Sequence, residues 1–178
     1  MTTDAQPAEP TARILFIGTR LFLAADAFVF LAFLFAYVYL RALDTNGMWH
    51  PSGIDPSAAL GGAVLVCMLV AAGAGISTAR GGRQLGWLAV AAVVAAAVLT
   101  AVAVFDPGFS PSAGGAFGSV FIGFMATYLV HLLGAVYWAE TAVVGGGPEQ
   151  GEDLRAASAY VTFLAGVIAV AFVLLYLV

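Results

Sequence analysis

Five runs of this chain, at 14–40, 58–77, 85–105, 116–139 and 156–178, are each long and apolar enough to cross a bilayer. The hydrocarbon layer is about 30 Å thick and a helix rises about 1.5 Å per residue. A backbone in lipid has to satisfy its hydrogen bonds internally, so runs of this length fold as helices rather than as open strands. The connections between them are short and leave no room for a soluble domain. The expected architecture is therefore all-α: a single five-helix transmembrane domain over 14–178, with a mobile polar tail at 1–13. The composition agrees, with 62% hydrophobic and 9% charged residues, against about 45–50% and about 25% in soluble domains. The tail lacks the basic segment and the Ala-x-Ala site of a cleaved leader, so the first span is expected to be retained.

The cations are all arginines, and their placement orients the bundle. Arg13, Arg20, Arg80, Arg83 and Arg155 fall on one side of a five-span arrangement, and Arg41 falls on the other. The positive-inside rule then puts the N-terminus in the cytoplasm and the C-terminus outside. The net charge of −4, with no basic patch, gives no reason to expect a nucleic-acid partner. The connection at 44–56 carries turn signals in Asn46-Gly47 and two prolines, and its Trp49 suits a membrane interface. The acidic segment 145–155 reads as a solvated connector. The second and third spans are rich in Ala, Gly and Val, which lets helix backbones approach closely.

Few polar groups lie within the spans, and two of them stand out. Asp26 interrupts the apolar run 21–40, and a carboxylate at that depth is costly enough to make a functional role the default hypothesis. It lies about 18 Å along its helix from Ile14, while His131 lies about 13 Å from Glu140. The depths are similar, so a carboxylate–imidazole pair can link the first and fourth spans and lower the cost of burying either group. The alternative is a neutral His131 bonded to a carbonyl, beside a protonated Asp26. Glu140 and Tyr128 are further polar candidates on the fourth span. His131 is the only histidine inside a span and Cys67 is the only cysteine. A bis-histidine haem site, a Cys/His metal cluster and a disulfide within the chain are therefore not expected. No phosphate loop or nucleophile elbow is present, so the chain alone offers no catalytic site.

Several of these segments, in this order, resemble subunit III of the haem-copper oxidases. The run Leu21-Phe22-Leu23-Ala24-Ala25-Asp26, followed by aromatics and Arg41, is similar to the span that carries the family's membrane glutamate. Trp49-His50-Pro51-Ser52-Gly53-Ile54-Asp55-Pro56 resembles the family's Trp-Pro-Pro loop. Phe117-Gly118-Ser119 with Phe121 resembles the start of the fourth span, and His131 falls on the second histidine of the family's His-Gly-Leu-His. The last span begins at Tyr160 as the family's Tyr-Trp-His-Phe-Val-Asp does. The five spans match the shorter bacterial form. The chain departs from the pattern at Asp26, one methylene shorter than glutamate. Tyr128 stands where the first histidine would be, and Thr162 and Ala165 stand where a histidine and an aspartate would be.

The resemblance implies a non-catalytic subunit of a terminal respiratory oxidase in a bacterial or archaeal inner (plasma) membrane. It implies subunits I and II and membrane phospholipids as partners. This chain would carry no cofactor, with haem and copper in the partner subunits, and Asp26 would assist proton uptake. An accessory subunit of a nitric oxide reductase shares the five-span pattern. A small transporter using Asp26 as a proton site is the reading from another class. An inverted repeat would favour it, and the sequence shows none.

Overall fold

The computed structural model of the chain describes residues 10–45, 47, 49–51, 55–106, 109, 114–146 and 150–177. The expected mobile tail therefore lies outside the described residues over 1–9. Its last four residues do not belong to a tail, because they open the first helix. Helix α1 spans Pro10–Ala42, α2 Ala58–Ala79, α3 Gly86–Val104 and α4 Gly115–Val144. Helix α5 spans Gln150–Phe172 and runs on into a wider π-helical turn, Val173–Leu177. All five are long and apolar enough to cross a membrane, and the described residues contain no strand. The chain is an all-helical, multi-pass membrane protein.

Helices α2, α3, α4 and α5 close into a ring, each packed on its two neighbours, while α1 leans into the groove between α4 and α5. Only 17% of the membrane window of α1 is buried, against 39% for each of the others. Its buried residues Thr19, Asp26, Phe30 and Tyr37 recur at intervals of seven, four and seven, which traces a single stripe along the helix. Asp26 thus occupies a seam position where an apolar residue would ordinarily sit. With 33 residues, α1 is about 50 Å long, so one end reaches beyond the hydrocarbon.

The ends of the helices are set by local chemistry. Ser57 caps α2 by accepting a hydrogen bond from the Leu60 amide at 3.3 Å. At the other end, the amides of Gly81 and Gly82 return to the carbonyls of Thr78 and Ser77, each at 3.0 Å. Gly81 takes φ +109° there, so the helix stops in a Schellman turn that favours glycine. The segment 145–155 is not the plain connector expected from its acidity. Helix α5 already begins at Gln150, whose side-chain amide donates to the carbonyls of Ala142 and Val143 at 3.4 and 3.3 Å. Those carbonyls end α4 and need donors. Glu152 and Asp153 then fall in the first turn of α5, where carboxylates suit the helix dipole.

Close packing appears where glycines meet bulk. A Cβ on Gly61 of α2 would stand 2.5 Å from the ring of Tyr176, and one on Gly86 of α3 would stand 2.8 Å from Val143. Gly75, on the expected small-residue face, meets Ser158 of α5 at an ordinary 3.4 Å. At the Arg41 end, Trp49 is buried. Its ring packs edge-on against Tyr37 and Phe117, and its carbonyl accepts from the Phe117 amide at 2.9 Å. The neighbouring residues 52–54 of that loop lie outside the described residues.

Candidate functional site

The α1 stripe carries Asp26 into the crossing of α1 with α4, where His131 meets it. His131 Nε2 lies 3.6 Å from Asp26 Oδ2, and both side chains are largely buried. The ring is held on two sides. Its Nδ1 sits 2.7 Å from the Thr127 carbonyl one turn back, and Phe30, one turn beyond Asp26, packs on it at a centroid distance of 4.9 Å. A carbonyl only accepts, so Nδ1 carries a hydrogen and donates it. That leaves Nε2 as the atom whose protonation is open, and it is the atom aimed at the acid.

Asp26 is 7% exposed, and its Oδ2 has no hydrogen-bond partner among the described residues. The 3.6 Å separation is longer than a direct hydrogen bond. A hydrogen carried by the acid or the ring, or a bridging water, can link the two atoms across this gap. A glutamate at this position would reach further into the gap, which the shorter Asp26 leaves slightly open.

The two remaining candidates fall elsewhere. Tyr128 is fully buried, and its hydroxyl donates to the Leu164 carbonyl at 3.0 Å. It ties α4 to α5 and does not share the proton. Glu140 is exposed on the outer face of α4 and makes no ion pair among the described residues. The structure therefore keeps Asp26 and His131 together and separates Glu140 from them. Thr162 bonds back to the Ser158 carbonyl at 2.8 Å and adds nothing to the pair.

The sequence reading missed Tyr160 as a member of this cluster. Its hydroxyl faces the Asp26 carboxylate and also lies 3.5 Å from the His131 carbonyl. The signal was its depth: it lies ten residues, about 15 Å, inside Gln150, the true start of α5. A span begun at residue 156 had put it near the surface. Among the described residues no three of His, Cys, Asp and Glu come together. What the arrangement can do chemically is take up, hold and release one proton inside the bundle. In comparisons with known proteins, no family model matches the chain and no curated protein matches it.

Proposed function

We propose that this chain is a non-catalytic subunit of a haem-copper terminal oxidase, corresponding to subunit III, in the inner membrane of a bacterium or archaeon. The observation that carries the reading is the buried Asp26–His131 pair at the α1–α4 crossing. It stands at two positions where the sequence resembles that family. Subunits I and II would hold the haem and copper, while this chain flanks them and lends its stored proton to their uptake. Membrane phospholipids fit as further partners. The cleft of about 800 Å³ between α1 and the ring is walled by Leu31, Leu34, Phe163 and Val170, which suits acyl chains.

Purification of the native complex through a tag on this chain tests the proposal. Haem and copper should copurify with two larger subunits. Haem with non-haem iron and no copper would move the chain to a nitric oxide reductase. Recovery of the chain alone, with proton flux in reconstituted vesicles that Asp26→Asn abolishes, would make it a transporter.

Orientation is a separate expectation. In a Cys67→Ser background, a cysteine at Gly146 should be labelled only from the cytoplasmic side, and one at Thr45 only from outside. A Cβ at Gly146 meets open space, so this substitution does not disturb the fold. Labelling with the opposite sidedness would reverse the topology and weaken the oxidase reading.

A further inference from the structure

Tyr160 stands where two features meet. On one side is the buried acid. On the other is a groove of about 620 Å³ between α1 and α4, which begins near Ile14 and Gly18 and has Tyr160, Phe22 and Trp138 among its walls. The groove is open because Gly18 and Gly134 contribute no side chain, and a Cβ at either would touch nothing within 4 Å. The Tyr160 ring is fixed by aromatic neighbours, with Phe22 at 5.4 Å and Trp138 at 5.6 Å between centroids. Its ring therefore stays in place while its hydroxyl hydrogen is free to turn.

Two acceptors compete for that single hydrogen. One is the Asp26 carboxylate and the other is the main-chain carbonyl of His131, at 3.5 Å. An ionised carboxylate is the stronger acceptor, and a protonated acid the weaker one. We propose that Tyr160 is a positioning residue for the buried acid, its hydroxyl donating to Asp26 when the carboxylate is ionised and turning to the His131 carbonyl when Asp26 takes up the proton. This rests on the reading of Asp26 and His131 as a proton-holding pair and extends it to a third helix. No covalent bond changes; one hydrogen bond is exchanged for another as the proton arrives. The titratable groups facing this carboxylate are His131 on α4 and Tyr160 on α5, with Tyr128 of α4 beside Tyr160.

The test is infrared difference spectroscopy of the protein across a pH titration, reading both the carboxylate stretches and the carboxylic-acid carbonyl stretch. Asp26→Asn identifies the Asp26 bands by their loss. Tyr160→Phe keeps the ring and its packing and removes only the donor. It should shift the carboxylate stretches of ionised Asp26, because a hydrogen bond to the charged form is lost, and it should leave the acid carbonyl stretch in place, because the hydroxyl has turned away in that state. His131→Gln, which keeps a side-chain donor, should leave the Tyr160-dependent shift of the carboxylate stretches in place. Carboxylate stretches of Asp26 that Tyr160→Phe leaves unmoved overturn the role of Tyr160 alone. Absence of any titrating band that depends on Asp26 overturns the proton-holding pair itself. Thermal unfolding of Tyr160→Phe within a few degrees of wild type shows that the spectral change is not a folding defect.

Discussion

Asp26→Asn should abolish proton storage while leaving the bundle about as stable as wild type, and Asp26→Ala should destabilise it. The asparagine amide can bond to His131 Nε2, through one water or by a small side-chain shift that closes the 3.6 Å gap. It therefore keeps α1 tied to α4, but it can no longer carry an exchangeable proton. Alanine leaves the buried imidazole nitrogen without a partner and opens a void in the α1 stripe. An unsatisfied buried polar group costs about 1–3 kcal/mol. Because α1 is the least buried helix, that loss should appear as early detachment of α1 rather than as collapse of the α2–α5 ring. Thermal melts with a probe on α1 and a second on α3 would separate the two events. In the proposed oxidase complex, turnover-linked proton uptake should fall in both variants. An alanine variant as stable as wild type, with unchanged proton uptake, would mean that Asp26 neither supports α1 nor handles protons.

Gly61→Leu should cost the ring about 1–3 kcal/mol or more through overpacking. The site is closed from above by Tyr176, which itself rests on Phe121 and Phe172 at 5.5 and 5.4 Å between centroids. A first carbon at Gly61 already comes within 2.5 Å of that ring, so the ring has to leave its seat before a leucine can enter. The pair is therefore strongly coupled. Tyr176→Ala should recover much of the loss caused by Gly61→Leu, and a double-mutant cycle on folded yield or melting temperature measures the coupling. Gly146→Leu serves as the control and should be silent, since its Cβ direction is open. Equal recovery of the Gly61 and Gly146 variants, or no rescue by Tyr176→Ala, would contradict this packing of α2 against the end of α5.

The sequence by itself determined the number of helices, their approximate limits and the class of protein. Hydrocarbon thickness and the helical rise leave few choices for runs as apolar as these. It also drew attention to Asp26 and His131, because a charged group in lipid is conspicuous and helical rise converts position into depth. Glu140 and Tyr128 show the limit of that argument. Depth says nothing about which way a side chain points around its helix, and one faces outward while the other bonds across to Leu164. Tyr160 was hidden by a boundary. The polar residues 150–155 look like a loop in composition, yet Gln150 bonds to the end of α4 and starts the helix early. Trp49 shows the same limit, since only the fold shows that its ring packs on Tyr37 and Phe117. Which helices touch was likewise decided by tertiary structure alone. Apolar faces in lipid gain little from hiding, so close packing and a few polar contacts choose the neighbours. Those choices depend on shapes that residue types do not encode one at a time.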